Sequence, residues 1–308
     1  MKKFILFLVM ALNLTAFGTT YVNIGTGGTA GTYYPLGGAL AEIWNANLDG
    51  VNATAESTGA SVANSQMLGK GDLDVAIIQN DVAYYAENGV ELFKTKIDDI
   101  RGMATLYSEP IQCITTDSSI KSIKDLKGKR VALGAIGSGV NANAKQIIEA
   151  AGLSEEDIKP QYLSFSEAAT GLRDRQIDAA FIVAGVPTSA IVDLSTQRDV
   201  KIVNIDKDLA KKLKEEYSYY TDYVIPGSTY KTQKEDVNTL TVKSMLIVSS
   251  KVKDDMVYDM LKTMFENTDR IKAAHAVGKY ITKDTALDGM SIKLHPGAKK
   301  YFDEIGVK

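Results

Sequence analysis

The chain contains two copies of one local pattern, in which an apolar strand leads into a loop of Gly, Ser and Thr residues and then into a helix. Each copy continues into a second apolar strand that contains an aspartate. The first copy spans residues 21–78 and the second spans residues 130–183. Strands that alternate with helices predict βαβ units and a parallel sheet, so the fold class is α/β.

Two such copies favour two α/β lobes that face each other over one continuous sheet. A chain that leaves the first lobe near residue 112 and returns near residue 223 forms two crossover strands and a hinge. The predicted domains are 19–112 with 224–308 for lobe I, and 113–223 for lobe II. Ligands bind at the carboxyl ends of parallel strands, so the cleft between the lobes is the predicted site.

The segment after the second copy does not repeat the pattern. Residues 216–230 are rich in tyrosine and turn formers, which predicts a connection. Residues 240–249 predict a strand. Apolar residues at helical spacing from Val257 to Ile271 predict one amphipathic helix.

The first eighteen residues have the pattern of a signal peptide. Lys2 and Lys3 precede an apolar run from Phe4 to Leu12, and Ala16 and Gly18 supply small residues before a cleavage site. The run is too short to cross a membrane comfortably, although an uncleaved anchor is the alternative. We therefore expect cleavage near Gly18 and a periplasmic protein.

Charge and cysteine content exclude several function classes. Removal of Lys2 and Lys3 from the 35 basic residues leaves 33 against 38 acidic residues, and the sequence has no basic run. This balance argues against a nucleic-acid partner. Cys113 is the only cysteine, so no intramolecular disulfide forms, and its apolar neighbours predict a buried, inert thiol.

Three predicted strand-to-helix loops, 27–34, 57–61 and 137–141, indicate a binding site for a small anion such as a carboxylate. Such loops present backbone N–H groups beside the positive end of a helix dipole. The predicted ligand-binding residues are Gly28, Thr29, Tyr34, Ser57, Thr58, Gln79, Asp81, Ser138, Gly139, Val186 and Pro187. Asp81 or Glu109 is a candidate partner for a ligand ammonium. The alternative is that these residues only cap helices and form turns.

Catalysis and cofactor binding have weaker support. Gly25, Gly27 and Ala30 have the spacing of a dinucleotide fingerprint, but an exported protein rarely meets NAD. His275 and His295 have no serine, cysteine or metal-ligand companion at a recognised spacing. We therefore expect a protein that is not an enzyme and that uses no cofactor and no metal.

Several runs resemble those of the TAXI receptors of TRAP transporters, over essentially the whole exported chain. The runs are Gly25–Leu40, Glu56–Gly59, Gln79–Tyr84, Leu106–Pro110, Gly137–Gly139, Ala184–Thr188 and Leu294–Gly297. The resemblance implies a type II periplasmic-binding fold and delivery of a small ligand to a TRAP membrane permease driven by an ion gradient. It also implies a glutamate-like ligand, including glutamine and related dicarboxylates.

The chain departs from this family pattern at three positions. Ala30 and Ala60 stand where glycine is expected, and Val140 stands where threonine is common, which puts the exact ligand in doubt. The other TRAP receptor branch reads its carboxylate with an arginine, but Arg101 and Arg130 are predicted to lie outside the cleft. The competing functions are an exported sensor that docks to a membrane signalling receptor and an exported enzyme.

Overall fold

The computed structural model of the protein describes residues 19–308. The predicted signal peptide therefore lies outside the described residues. The strands, in chain order, are β1 (Thr20–Gly25), β2 (Val51–Glu56), β3 (Val75–Gln79), β4 (Ile100–Thr115), β5 (Arg130–Ala132), β6 (Lys159–Gln161), β7 (Ala179–Val183), β8 (Lys201–Val203), β9 (Thr221–Ile225) and β10 (Val237–Ser249).

The α-helices are α1 (Tyr33–Asn47), α2 (Ser61–Lys70), α3 (Asn80–Asn88), α4 (Gly139–Ala150), α5 (Phe165–Arg173), α6 (Ser189–Gln197), α7 (Lys207–Glu216), α8 (Asp254–Glu266), α9 (Thr268–Ala274) and α10 (Pro296–Ile305). A short 3₁₀ helix, Ala276–Tyr280, follows α9. No helix of residues 19–308 combines the length and the apolar character that a membrane crossing requires.

The strands pair in the order β2-β1-β3-β10-β4-β7-β5-β6, with β8 beside β4 and β9 beside β10. Strand β1 runs parallel to β2 and β3, and β5 runs parallel to β6 and β7, which confirms the parallel βαβ units. Strand β10 runs antiparallel to β3 and β4, so the complete sheet is mixed.

Strands β4 and β10 connect the two halves of the molecule. Up to Pro110, β4 pairs with β10, and from Ile111 it pairs with β7. The apolar side chains change cores at the same place, because Leu106 packs in a core around β1 whereas Ile111 packs in a core around β5 and β7. The chain therefore crosses between the halves within β4.

The return segment differs from the sequence prediction. Within the predicted connection, residues 221–225 form β9, which pairs antiparallel with the start of β10. Ile225 and Val237 pack in the second half with the residues around β7, and Leu240 packs with those around β5. The single helix predicted from Val257 to Ile271 is two helices, because the backbone of Asn267 leaves the helical conformation between them.

The loop before α2 holds a strained residue. Ala60 has φ 67° and ψ −146°, a conformation that belongs essentially to glycine. This is one of the two positions where the family pattern predicts glycine. At the other, Ala30, φ is not positive. The two alanines therefore differ in strain although both replace an expected glycine.

We predict that Ala60→Gly stabilises the protein by roughly 1 kcal/mol, because release of backbone strain outweighs the added freedom of the unfolded chain. Urea unfolding of the exported chain measures the change. Ala30→Gly is the matched control and should destabilise by about 0.5–1 kcal/mol, since it adds only unfolded-state entropy. Equal effects of the two substitutions would contradict the assignment of strain to Ala60.

Candidate ligand-binding cleft

A cavity lies between the two halves, at the carboxyl ends of β1, β3 and β7. We call it the cleft cavity. It comprises about 660 Å³ of space, part of which is open to solvent. Its walls are formed by residues of the loops after β1, β2 and β5, by the start of α5, and by side chains at the strand ends; these residues are Gly27, Gly28, Gly31, Thr32, Tyr33, Thr58, Gly59, Ala60, Ser61, Gln79, Glu109, Ala135, Ser138, Gly139, Val140, Ser164, Phe165, Val183 and Ala184.

Four helices begin at this cavity: α1, α2, α4 and α5. The first N–H groups of a helix have no acceptor within it and carry the positive end of its dipole, so their convergence favours a bound anion. At α2, two of these groups already have a partner, because the amides of Val62 and Ala63 donate to the Gly137 carbonyl at 3.0 and 3.1 Å. A ligand anion therefore relies mainly on the other helix starts.

A buried carboxyl group stands at the same cavity. Glu109, on β4, is 1% exposed and accepts hydrogen bonds from the phenols of Tyr33 at 2.7 Å and Tyr107 at 3.1 Å. Burial raises the pKa of Glu109 to about 8, and the two phenol hydrogen bonds only partly offset this effect. The carboxyl is thus mostly protonated at neutral pH, and a cation beside it would restore its charge.

The Gln79 side chain is oriented by a chain of hydrogen bonds. The Asn143 amide nitrogen donates to Asp81 Oδ2 at 2.7 Å, and its oxygen accepts from Gln79 Nε2 at 3.0 Å. A carboxylate only accepts, so ionised Asp81 fixes the direction of both amides. Gln79 Oε1 remains as a buried acceptor at the cavity wall, without a donor in the described part of the chain.

The same network continues behind the cavity. Asn143 Nδ2 also donates to Tyr220 Oη at 2.9 Å, and Tyr220 donates to Gln146 Oε1 at 2.6 Å. Gln146 Nε2 lies within 3.1 Å of the phenols of both Tyr85 and Tyr219. Tyr219 and Tyr220, which lie in the predicted connection, therefore help to link α3 of the first half to α4 of the second.

The two halves touch around the cavity, so this is a closed arrangement. Besides the Gly137 and Gln79 contacts, the Ala190 amide donates to the Ala30 carbonyl at 3.4 Å. Gly139 packs so closely on the first half that a Cβ atom there would lie 1.5 Å from Gln79 Oε1 and 2.9 Å from Val82 Cγ2. Only glycine fits at this contact without a rearrangement.

Five of the eleven predicted ligand-binding residues line the cleft cavity: Gly28, Thr58, Gln79, Ser138 and Gly139. The hydroxyl groups among them have protein partners. Thr58 Oγ1 lies 2.9 Å from the Thr26 carbonyl and 2.6 Å from Asn64 Oδ1, and Ser138 Oγ donates to the Ala135 carbonyl at 2.7 Å. Their hydrogens are therefore already used, so among the predicted residues only backbone amides and the Gln79 amide can donate, whereas the buried hydroxyl of the wall residue Thr32 has no partner in the described chain.

The other six predicted residues do not line the cleft cavity. Thr29 and Tyr34 are exposed, and the Ser57 hydroxyl donates to the Gly27 carbonyl at 3.0 Å. Asp81 lies behind Gln79. Val186 lines a different cavity, and Pro187 follows it in the turn after β7. The local sequence pattern identifies the loops but not which side chains point into the cleft.

Several wall residues are absent from the predicted set. They are Gly27, Gly31, Thr32, Tyr33, Gly59, Ala60, Ser61, Ala135, Val140, Ser164, Phe165, Val183 and Ala184. The start of α5 had a usable sequence signal: Ser164 and Glu167 form a capping box just before a helix, with the Glu167 amide 3.4 Å from Ser164 Oγ. Tyr33 had none, since it reaches Glu109 only through the tertiary fold.

The other candidate groups lie elsewhere. Arg130 does not line the cleft cavity and pairs with Asp178 at 2.7 Å. Cys113 is 1% exposed, and burial raises the pKa of its thiol to about 12. His275 and His295 accept backbone hydrogen bonds from Val277 and Gly297. Among residues 19–308, no three His, Cys, Asp or Glu side chains form a metal-ligand cluster.

Because burial raises the pKa of Glu109 to about 8, from an ordinary value of 4.5, the folded state holds its proton more tightly than the unfolded state. This group therefore makes the protein less stable as the pH rises through that interval, by up to about 1.4 kcal/mol per pH unit. We predict that Glu109→Gln flattens the fall in stability between pH 6.5 and 8. Urea unfolding across this range measures it. Parallel curves for the two proteins would contradict a buried, protonated Glu109.

Solved structures with this fold include a protein of Bordetella bronchiseptica, with a TM-score of 0.55 and 19% identity over 92% of this chain and 88% of that one. A Listeria monocytogenes protein named for L-cystine ABC transport has a TM-score of 0.53 and 17% identity over 86% of this chain and 98% of that one. A Xanthomonas citri protein with bound ATP has a TM-score of 0.50 and 12% identity over 93% of this chain and 96% of that one.

At these identities the structural matches show the fold, which is the mixed α/β fold of periplasmic solute-binding proteins. The predicted fold class is thereby confirmed. The model of a protein family described as the NMT1-like family matches residues 24–306, which is almost all of the described chain. The chain belongs to the NMT1-like family.

Proposed function

We propose that the protein is an extracytoplasmic receptor that binds a small solute and delivers it to a membrane transporter. The observation that carries this proposal is the cleft cavity, where four helix starts and the buried Glu109 face one space closed between two halves. The cavity has helix N–H groups that can donate to an anion and a buried carboxyl, Glu109, that can accept from a cation. These are properties of a binding site for a small charged molecule.

The charges of the cavity favour a ligand that carries both a carboxylate and an ammonium group. The helix starts of α4 and α5 supply N–H donors for the carboxylate. Glu109 and Gln79 Oε1 supply acceptors for the ammonium, and the positive charge offsets the burial of the Glu109 carboxylate. An amino acid provides both groups in one small molecule.

The rest of the cavity favours an uncharged side chain on that amino acid. Its wall has no Arg or Lys within the described chain, and the second half contributes Val140, Phe165 and Val183. A second carboxylate would be buried without a cation, which is costly. We therefore favour glutamine or an apolar amino acid over glutamate and over dicarboxylates without an amine.

The transporter partner is a further part of the proposal. The resemblance to TAXI receptors supports a TRAP permease driven by an ion gradient, while the Listeria neighbour is named for ABC transport. Uptake into proteoliposomes that contain the permease encoded beside this gene separates the two: abolition of uptake by an ionophore supports TRAP, and strict dependence of uptake on ATP supports ABC.

An exported sensor with the same cleft is the alternative function, supported if no permease responds to the loaded receptor.

We also propose that the second half moves as a unit. Its bounds are predicted at 113–223 from the sequence, and the crossing within β4 supports the first bound. Because Ile225, Val237 and Leu240 pack with the second half, we place the return crossing within β10, close to Val242. Opening about these two strands would give a ligand access to the cavity.

We predict that amino-acid binding releases close to one proton per ligand at pH 7, because Glu109 must ionise to accept the ammonium. Affinity should therefore rise with pH up to about 8, by up to tenfold per pH unit, and then level off. Calorimetric titration of glutamine, leucine, glutamate and 2-oxoglutarate, in buffers of different ionisation enthalpy, measures both quantities.

Glu109→Gln is the control for this experiment, and it should bind more weakly without proton release. Tighter binding of 2-oxoglutarate than of glutamine would contradict the role of Glu109. No saturable binding of any amino acid would contradict the proposed ligand class.

We predict that Gly139→Ala hinders closure, because its Cβ would meet Gln79 Oε1 and Val82. With a saturating amino acid, small-angle scattering should show a smaller radius of gyration for the wild type and little change for this variant. Gly28→Ala is the matched control, since a Cβ there meets nothing within 4 Å. Closure of both variants to the same extent would show that the Gly139 contact does not limit the motion.

A further inference from the structure

A second cavity lies on the crossover strands, outside the cleft cavity. We call it the hinge cavity, and it encloses about 820 Å³ of space, part of it open to solvent. Strand β7 pairs with β4 only from Ile111 onward, and the β4 segment 105–108 upstream of that pairing forms one wall. Val186, Tyr223, Lys243 and the segment 277–285 complete the cavity, so both halves contribute to it.

The hinge cavity is positively charged although the chain as a whole is acidic. Lys243 and Lys279 are its charged residues, and none of its twelve wall residues is an Asp or Glu. Neither lysine forms an ion pair with a carboxylate of residues 19–308. The Lys279 ammonium instead lies 4.8 Å from the centre of the Tyr280 ring. Two ammonium groups around one concave space attract an anion.

A buried hydroxyl in the same wall lacks a partner. Thr105 is 2% exposed, and its Oγ1 atom makes no hydrogen bond within the described chain. A buried polar atom without a partner is unfavourable, and a ligand or water in the cavity would satisfy it. Thr282 and Thr285 also line the cavity, but their hydroxyls lie 2.9 Å apart and Thr285 Oγ1 lies 3.3 Å from the Tyr280 carbonyl, so their hydrogens already have acceptors.

The hinge cavity is separate from the cleft cavity. The Tyr107 ring stands between them, because Tyr107 lines the hinge cavity while its phenol donates to Glu109 in the cleft wall. Gly185 packs closely against the residues between the two cavities. A Cβ atom at this position would lie 2.6 Å from Val277 Cγ1 and 3.0 Å from Tyr107 Cε2. A ligand in one cavity therefore does not occupy the other.

We propose that the hinge cavity is a second binding site, for a small oxyanion such as phosphate. Lys243 and Lys279 supply the charge, and Thr105 supplies a hydroxyl that has no partner within the described chain. Val186 belongs to the second half and Lys243 to the first, so the bound ion would contact both halves at the crossover strands. This site is distinct in position from the amino-acid site in the cleft.

The test is thermal unfolding of the exported chain in increasing sodium phosphate, with sodium chloride at matched ionic strength as the reference. A ligand that binds only the folded state stabilises it by RT ln(1 + [L]/Kd), so the melting temperature rises with the logarithm of ligand concentration above Kd, and a fit of this rise gives Kd. We expect phosphate to raise the melting temperature above the chloride reference. Lys243→Gln and Lys279→Gln should each weaken the phosphate Kd about tenfold, the effect of losing one charge-assisted hydrogen bond.

Lys201→Gln is the matched control, because Lys201 is an exposed lysine on β8 that does not line this cavity. It should leave the phosphate Kd unchanged. The proposal is overturned if phosphate and chloride act alike, or if Lys201→Gln weakens binding as much as the cavity variants do. It is also overturned if phosphate binding survives both cavity substitutions, since the ion would then occupy the helix starts of the cleft.

Discussion

The arrangement of the cleft depends on one buried carboxyl group. Glu109 sits on the strand that crosses between the halves, where its neighbours are the phenols of Tyr33 and Tyr107. A carboxylate without a cation is unfavourable in such a place, so the empty closed protein keeps it protonated. A positively charged ligand group reverses this balance. In the proposed function, closure over an ammonium group would convert this buried acid into a buried ion pair.

The polar network beside Glu109 fixes the orientation of the Gln79 and Asn143 side-chain amides. Asp81 accepts from Asn143, Asn143 accepts from Gln79, and Gln79 Oε1 is left buried against Gly139 without a donor in the described chain. Because Asp81 and Gln79 belong to the first half and Asn143 to the second, this order exists only when the halves are together. The acceptor that meets the ligand is therefore completed by closure. Burial raises the pKa of Asp81 to about 6, so acid conditions would protonate it and remove the constraint on both amides.

Local sequence patterns predicted the βαβ units, because each unit is a short stretch of chain in which apolar segments are separated by glycine-containing loops. They also predicted that loops at the strand ends meet at a cleft, since parallel strands place their carboxyl ends together. They did not predict which hydroxyls are free. Thr58 and Ser138 satisfy nearby carbonyls, and those partners depend on loop geometry. The contacts of Tyr33 and Phe165 depend on how the halves approach each other, and β9 depends on pairing with β10. None of these has a periodic signal in the sequence.

Tyr107 joins the two cavities physically, and this has a consequence for their energetics. Its ring forms part of the hinge cavity wall, and its phenol is one of the two groups that hold Glu109. Both cavities draw residues from both halves, so each exists in full only in the closed state. Two ligands that prefer the same state raise each other's affinity even without contact between them. An ion in the hinge cavity would thus strengthen amino-acid binding in the cleft, and the amino acid would strengthen ion binding by the same factor.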